Sequence, residues 1–483
     1  MRVEDYAAED GVGLAALIAR GEVSASEAAL AAREAMARVN PAIKAVIETY
    51  DDRIDGAVSA SFSGPFAGVP FLIKDVTGHE AGRKIEYGSR LCAGMVSKAD
   101  SHFGELLRKA GLNIIGRSNA PEYSIATSSE NKLYGATSTP WRQGYSAGGS
   151  TGGGAAAVAA GIVPLAHGSD IGGSIRIPAS WCGGVGLKPS RGRISAGPWL
   201  DESGWGLAMS FVQTRSMRDV AHMLDALAIP QPGDPFVVAK PAEPYAAYLS
   251  KPVGRLRIAW CAKPLMNAPV DPEIAAAVEA TAKTLANMGH EVEQADFPFD
   301  AATAAREMTH HWFFGFHLWL DGFAKRNGRK VGPDTLEPAT LAIYEFARAM
   351  DPYRFLDAQA WLNGARREIG RFFARYDVLV SPTTAQVSQP HGLYGLDLPG
   401  MDAIGAMLHL EKPVQYCFPY NVAGAPALSL PLAMHSGGLP IGVELGARPA
   451  EEHLLIGLGA ALEEAMPWRG RVPPLHAGRH GGA

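Results

Sequence analysis

Short apolar runs alternate with helical patterns in the first part of the chain. Residues 12–38 carry alanine and leucine at helical spacing. The segment Val69–Lys74 reads VPFLIK and predicts a buried strand that ends at Lys74. A helix is predicted over Phe103–Ala110 and a further strand over Leu112–Gly116. This alternation of strands and helices favours an α/β sheet.

The second half of the chain places a helical region between strands. Helical patterns occupy about 270–375, and Asp377–Val380 then reads as a strand. A strand pair fits Ala427–Leu432 and Ile441–Leu445, and the amphipathic segment Glu451–Glu464 predicts a final helix. The proline-rich stretch Pro230–Pro244 could be a surface connection into this helical insert.

Composition and charge exclude several classes of function. The chain has 483 residues, of which 47% are apolar and 19% charged, which is enough material for a large buried core. The net charge is −5, and no basic face suited to nucleic acid is evident. The four cysteines lie far apart without a CxxC pair, which predicts buried, reduced thiols rather than disulfides or a metal site. No cofactor is predicted.

The sequence contains no segment that predicts export or membrane insertion. Its polar, acidic first residues lack the basic start and apolar stretch of a signal peptide. The most membrane-like run, 154–166, is broken by Pro164 and is shorter than the ~20 apolar residues of a spanning helix. We therefore expect a cytoplasmic protein without membrane contact.

Two glycine-rich segments are candidates for chemistry. The first, SAGGSTGGG at 146–154, could be a flexible linker or a phosphate-binding loop, but no Lys-Ser or Lys-Thr follows the glycines. The second, GSDIGGSIR at 168–176, places Ser174 after two glycines. Backbone N–H groups can converge in such a turn to form an oxyanion hole. A serine in an ordinary tight turn has the same pattern.

Lys74 is the third candidate, because it ends an apolar strand. A lysine in that position is often a surface residue that extends its amine into water. Held in an apolar setting, however, a lysine loses its charge and can act as a base near neutral pH.

Together these segments resemble the amidase signature family. The resemblance rests on Lys74 in GPFAGVPFLIKD, Ser150 in GGSTGG and Ser174 in GSDIGGSIRIPA, and continues through CGGVGLKPSRGRIS. GRSNAPE, YGATSTPW and NVAGAPALSLP also fit the family pattern, so the similarity covers about 10–465. The resemblance implies an α/β fold with a twisted mixed central sheet flanked by helices on both faces.

The resemblance also implies a Ser–cis-Ser–Lys triad. In this pattern Ser174 is the nucleophile, Ser150 follows a cis peptide bond and relays the proton, and Lys74 is the base. The backbone N–H groups of Ile171, Gly172, Gly173 and Ser174 would form the oxyanion hole. An ion pair between Asp170 and Arg176 is expected to fix this loop.

The family pattern suggests how the chain is organised. We predict a single domain over 1–470, with a catalytic core at about 60–225 and 375–465. A helical insert at about 265–375 would shape the substrate region, and 471–483 would form a C-terminal tail.

Several stretches are most similar to the branch of 6-aminohexanoate-cyclic-dimer hydrolases, which opens nylon-related cyclic amides. They are CGGVGLKPSRGRISAGP, LEPATLAIYEFAR and DVLVSPTTAQ. Ile125 stands where this branch carries an asparagine, so a polar contact to substrate is absent. Thr151 stands for a second serine and keeps its hydroxyl, and Ile171 stands for the more usual threonine.

The substrate pocket is predicted from Tyr123, Ile125 and Phe316. The last belongs to the aromatic stretch 312–320, which could line a pocket or pack into the core. The nearby histidines, His310, His311 and His317, have no carboxylate at ligand spacing, so no metal is predicted.

These residues predict a hydrolase of small-molecule amides, extending to anilides, carbamates or esters with apolar groups. It would act alone or as a homodimer, without nucleic acid. Two alternatives remain: the glutamine-hydrolysing subunit of a tRNA-dependent amidotransferase, and a non-catalytic scaffold of the same fold. The aromatic stretch argues against the first, and the intact Lys74, Ser150 and Ser174 argue against the second.

Overall fold

An eleven-stranded mixed sheet forms the centre of the molecule in a computed structural model that describes residues 1–200 and 202–479. A separate two-stranded hairpin, β4–β5, lies outside it. The strands are β1 (Val46–Thr49), β2 (Pro70–Lys74), β3 (Asn113–Ser118), β4 (Glu130–Asn131), β5 (Gly135–Ala136), β6 (Leu165–Asp170), β7 (Val185–Lys188), β8 (Met209–Thr214), β9 (Arg257–Trp260), β10 (Glu291–Gln294), β11 (Val378–Pro382), β12 (Ala427–Met434) and β13 (Pro440–Ala447).

Sixteen α-helices in the described residues flank this sheet. They are α1 (Val3–Ala8), α2 (Gly11–Ala19), α3 (Ala25–Ile43), α4 (Asp51–Asp55), α5 (His102–Lys109), α6 (Gly152–Ala159), α7 (Arg176–Cys182), α8 (Met217–Leu227), α9 (Pro272–Asn287), α10 (Ala301–Trp312), α11 (Phe316–Asn327), α12 (Pro338–Ala349), α13 (Pro352–Arg375), α14 (Ala403–Glu411), α15 (Phe418–Ala423) and α16 (Glu452–Ala465). The α/β architecture predicted from the sequence is confirmed.

The order of the strands brings the candidate residues together. The sheet runs β1-β3-β2-β6-β8-β7-β12-β13-β11-β9-β10. Strands β2 and β6 are parallel neighbours, so their carboxyl ends lie at the same edge. Lys74 is the last residue of β2, and Asp170 is the last residue of β6. In open α/β sheets ligands bind outside the carboxyl ends of the strands, which makes this edge the place to search for a site.

Strand boundaries near the site follow the apolar patterns closely. The prediction of a continuous helical region over about 270–375, however, was wrong in part. Four helices, α9, α10, α12 and α13, and the aromatic helix α11 occupy that region, yet β10 interrupts it at Glu291–Gln294. Strand β10 pairs in parallel with β9 at the edge of the sheet. Its four residues are mostly exposed and carry little apolar signal, so pairing with β9 rather than periodicity determines its structure.

The apolar core surrounds the sheet, and a second cluster fills the space between α11, α12 and α14. All four cysteines are buried and none forms a disulfide, in agreement with the prediction of reduced thiols. Within the described residues, no helix combines the length and apolar character that crossing a bilayer requires.

Candidate active site

Lys74 ends strand β2 in a fully buried position and is surrounded by hydroxyl groups. Its Nζ lies 2.7 Å from Ser150 Oγ, 2.9 Å from Ser169 Oγ and 3.1 Å from Thr151 Oγ1. Burial lowers the pKa of Lys74 well below its ordinary value, and the charge of Asp170 opposes this shift only in part. A neutral amine is therefore favoured at this site.

The three hydroxyl groups can satisfy a neutral amine, which has two N–H donors and one lone pair. Thr151 Oγ1 donates to the Ser169 carbonyl oxygen at 3.3 Å, so it accepts from Lys74. Ser169 Oγ has Lys74 as its hydrogen-bond partner among the described residues. If Lys74 donates to these two, its lone pair is directed at the hydroxyl of Ser150.

Ser150 lies in the glycine-rich loop that precedes α6. The Gly149–Ser150 peptide bond is cis, as the family resemblance implied. A Cβ at Gly149 would lie 2.6 Å from the Ala126 carbonyl oxygen and 2.8 Å from the Ser128 nitrogen. This close approach to a neighbouring backbone requires glycine and fixes the position of Ser150.

Ser174 lies in the loop between β6 and α7. The Thr151 N–H donates to the Ser174 carbonyl oxygen at 3.2 Å, which joins the two serine-bearing loops. The carboxylate of Asp170 accepts from the N–H groups of Gly173, at 2.9 Å, and Ile175, at 3.1 Å. The backbone around Ser174 is thus held by one buried carboxylate.

Free backbone donors remain in this loop after that use. Among the described residues, the N–H groups of Ile171, Gly172 and Ser174 have no acceptor. The prediction also included Gly173 as an oxyanion donor, but its N–H is engaged by Asp170. With φ at +126°, Gly173 has a left-handed conformation in which its N–H points to that carboxylate.

Arg176 fixes the loop that bears Ser174 through its contact with Asp170. Its guanidinium is fully buried and pairs with Asp170 and Glu444, each at 2.8 Å. It also donates to the Asn421 side chain at 2.7 Å and to the Cys417 carbonyl oxygen at 2.6 Å. Burial opposes ionisation of Asp170, but the charge of Arg176 lowers its pKa to about 2. The predicted ion pair between Asp170 and Arg176 is confirmed.

A cavity of about 820 Å³ opens from this edge of the sheet. Ser150, Ser169 and Ser174 line it, which places the candidate nucleophile and relay on one accessible surface. Its size falls in the range of small-molecule sites. Most of its other lining side chains are apolar, and the aromatic ones are Tyr87, Phe103, Tyr123, Trp199, Trp205, Trp312, Phe314, Phe316, Trp319 and Phe323.

The three side chains predicted to bind substrate all line this cavity. Ile125 presents an apolar surface to it, and Phe316 lies edge-on to Tyr123 with ring centroids 5.7 Å apart. The hydroxyl of Tyr123 faces Cys92 Sγ at 3.4 Å, so Tyr123 contributes its ring to the cavity.

The aromatic stretch 312–320 takes both of the roles that the sequence allowed. Trp312, Phe314 and Trp319 line the cavity together with Phe316, whereas Phe313 and Leu320 are fully buried in the core. In the described part of the chain, His, Cys, Asp and Glu side chains nowhere form a group of three that could hold a metal.

Ser169, Trp199 and Trp205 belong to the site but were not identified from the sequence. Ser169 stands directly before Asp170 in GSDIGGSIR, at the end of a strand that pairs with β2. This position was a usable signal, because the end of β6 lies beside Lys74 at the end of β2. Trp199 and Trp205 lie in a stretch without periodicity, and tertiary contacts place them. Trp205 Nε1–H, for example, donates to the Phe314 carbonyl oxygen at 3.1 Å.

Comparison with known proteins identifies relatives of this chain. The sequence pattern of the Amidase family matches residues 27–456. The chain is 36% identical over 484 residues to the 6-aminohexanoate-cyclic-dimer hydrolase of Paenarthrobacter ureafaciens, covering 97% of each protein. It is 33% identical to a putative amidase of Mycobacterium tuberculosis, with 95% of each chain covered.

The fold is similar to that of a solved relative. A structure of 6-aminohexanoate cyclic dimer hydrolase complexed with substrate superimposes with a TM-score of 0.90 at 34% identity, covering 97% of this chain and 99% of the other. Sequence pattern, full-length identity and fold agree with one another: the chain belongs to the Amidase family and is a hydrolase of amide bonds.

Proposed function

We propose that this enzyme cleaves amides through a Ser174–Ser150–Lys74 triad and an acyl-enzyme. The observation that carries the proposal is the buried Lys74, whose Nζ lies 2.7 Å from Ser150 Oγ beside a cavity shared with Ser174. A buried lysine with a lowered pKa can accept a proton at physiological pH.

The proposed reaction moves one proton along the triad in each direction. Ser174 Oγ attacks the carbonyl carbon while its proton passes to Ser150, and the proton of Ser150 passes to Lys74. The proton returns by the same route to the leaving nitrogen as the C–N bond breaks. Water then attacks the acyl-enzyme with the same proton relay and releases the carboxylic acid.

The N–H groups of Ile171, Gly172 and Ser174 are proposed to stabilise the tetrahedral oxyanion. They lie next to the nucleophile and lack acceptors among the described residues. Donors that are already oriented require no reorganisation during the reaction, which is why such groups lower the barrier.

The proposed substrates are amides with apolar or aromatic groups, extending to anilides, carbamates and esters. The aromatic cavity wall supports this class, since burial of apolar surface stabilises binding. Similarity to a 6-aminohexanoate-cyclic-dimer hydrolase supports nylon-oligomer-like amides. Ile125 offers an apolar surface in place of a polar contact.

Labelling by a serine-directed fluorophosphonate is expected to occur on Ser174. The reason is that the reagent needs an activated hydroxyl with nearby oxyanion donors, and Ser174 combines both in this proposal. Peptide mapping by mass spectrometry identifies the modified residue, and Ser174→Ala provides the control. Label on a different serine, or equal label on wild type and the variant, would contradict the assignment of the nucleophile.

Anilides and long-chain amides are expected to be far better substrates than acetamide. Each buried CH₂ contributes ~0.8 kcal/mol, so four additional methylene groups should raise kcat/KM by about two orders of magnitude. Initial rates for a homologous series of acyl anilides measure this slope. A flat series, with acetanilide as good as its longer homologues, would show that the cavity wall does not contact substrate.

A glutaminase role within an amidotransferase remains testable but is not favoured by a specific observation. Glutamine carries two charges near its side-chain amide, and the base of the cavity offers hydroxyl groups rather than ionised partners. Turnover of glutamine by the purified chain, at rates above those for an anilide, would reverse this preference.

A further inference from the structure

One face of helix α11 lines the cavity along the whole length of the helix. Phe316, Trp319, Phe323 and Arg326 all line the cavity, at spacings of three, four and three residues. Side chains at such spacings lie on one side of an α-helix. The stripe is aromatic for three positions and ends in a guanidinium.

Arg326 is exposed and forms no ion pair with a described residue. Its Cζ lies 5.8 Å from the centroid of the Phe323 ring, so the aromatic stripe positions the guanidinium. Burial lowers the pKa of His79 to about 4, and the positive charge of Arg326 adds to this effect. His79 itself lines the cavity, so the positive potential of Arg326 extends into the cavity.

Lys98 is a second cation on the cavity wall. It is also exposed and has no ion pair within the described ranges. The carboxylate of Glu202 is part of the wall as well, but it also interacts with Arg191 and Arg366. Burial lowers the pKa values of these two arginines, and the negative charge of Glu202 opposes that effect. Among the described residues of the cavity wall, the ionised side chains are therefore two cations, Arg326 and Lys98, and one carboxylate, Glu202.

The start of α11 is connected through two contacts to the loop that bears the proposed nucleophile. Gly315 and Phe314 precede the helix, and Phe314 accepts a hydrogen bond from Trp205. A Cβ at Gly204, the neighbour of Trp205, would lie 3.2 Å from the Ile171 side chain, in the loop that bears Ser174. The start of α11 is thus next to the reactive loop, and Arg326 is ten residues further along.

From this arrangement we infer that the preferred substrates are amides whose apolar chain ends in a carboxylate, which Arg326 and Lys98 bind at the opening of the cavity. The inference rests on the proposed function, because it assigns a substrate class to the same cavity. A carboxylate suits a guanidinium, which offers two parallel N–H donors to its two oxygens. The aromatic stripe between the reactive loop and Arg326 accommodates the apolar chain.

We use the length of α11 to choose the chain length of the test compounds. Ten residues of α-helix rise about 15 Å. An extended chain covers about 3.5 Å for each three backbone atoms, so this distance corresponds to about twelve or thirteen chain atoms. Dodecanedioic acid monoanilide, with its carboxylate on the acyl side, matches that length. N-benzoyl-ω-aminododecanoic acid carries the carboxylate on the amine side.

Binding to the Ser174→Ala protein tests the inference without turnover. Quenching of tryptophan fluorescence reports on ligand, because four tryptophans line the cavity. At least one of the two acids is expected to bind about tenfold more tightly than its own methyl ester. The advantage should shrink at an ionic strength of about 0.5 M, since salt screens exposed charges.

Arg326→Gln is expected to remove most of this preference by weakening binding of the acid much more than binding of the ester. Lys325→Gln is the matched control, because Lys325 is an exposed cation on the same helix outside the cavity wall. Lys98→Gln should give a smaller loss. In the catalytically intact protein, Arg326→Gln should raise KM for the acid and leave kcat nearly constant.

Each outcome separates recognition from catalysis. Equal affinity for acids and esters, or an equal effect of Arg326→Gln and Lys325→Gln, would overturn the inference even if anilides are hydrolysed. A preference for the acids that depends on Arg326, in a protein that hydrolyses neither acid nor ester, would uphold the inference and reject the proposed function.

Discussion

Replacing Lys74 by methionine is expected to lower kcat by about 10²–10⁴-fold. Methionine has a similar length but no lone pair that could accept the proton of Ser150. Because burial lowers the pKa of Lys74 well below its ordinary value, the wild-type amine is neutral over a range in which a free lysine is charged. The rate of hydrolysis of an anilide, measured from acid to alkaline pH, tests both statements.

The pH profile should follow the titration of Lys74. Below its lowered pKa the amine is protonated and cannot act as a base, so kcat/KM should fall about tenfold for each pH unit. The activity should therefore rise with pH and then level off. Lys325→Met, an exposed substitution outside the cavity wall, should keep both the rate and the profile.

A stability measurement and a second variant separate a loss of catalysis from a loss of structure. Lys74→Met leaves three hydroxyl groups without their amine partner, which costs some stability, so thermal unfolding must be measured in parallel. Ser150→Ala keeps Lys74 and should lose somewhat less activity if water can relay the proton. Near-wild-type rates in a folded Lys74→Met protein would reject the proposed base.

Replacing Arg176 by methionine should lower the free energy of unfolding by about 3–5 kcal/mol. The substitution leaves Asp170 and Glu444 fully buried without their common cation. Burial already raises the pKa of Glu444 to about 7, which shows how costly its negative charge is there. Urea denaturation measures the difference, with Arg371→Met as the control.

The control forms a contrasting ion pair. Arg371 and Glu368 pair on the exposed side of α13, where such contacts contribute about 0–1 kcal/mol. Loss of Arg176 should also slow fluorophosphonate labelling, since Asp170 would no longer be held against the Ser174 loop. Equal denaturation midpoints for the two variants would contradict a structural role for the buried arginine.

The local sequence around Lys74 and the serines carried enough information to predict their elements. The apolar run before Lys74 makes a buried strand favourable in any α/β setting, and β2 ends at that lysine. The paired glycines before Ser174 permit the turn that follows β6. These features depend on short-range backbone preferences, so they can be predicted from neighbouring residues.

Long-range packing decided what could not be predicted. The N–H of Gly173 could have served an oxyanion, but it donates to Asp170, whose carboxylate is held in place by the distant side chain of Asn421. Strand β10 exists because β9 offers a free edge, which its own exposed residues do not indicate. Trp205 reaches the cavity through its contact with Phe314, more than a hundred residues away.

The helix α11 and the two serine-bearing loops come from separate stretches of the chain. A substitution at Trp319 or Phe323 alters the cavity wall without touching a residue that holds Lys74 or the Ser174 loop. Natural selection can therefore change the range of accepted compounds while the proposed catalytic residues stay the same. Laboratory evolution aimed at synthetic polyamides could confine its mutations to one face of a twelve-residue helix.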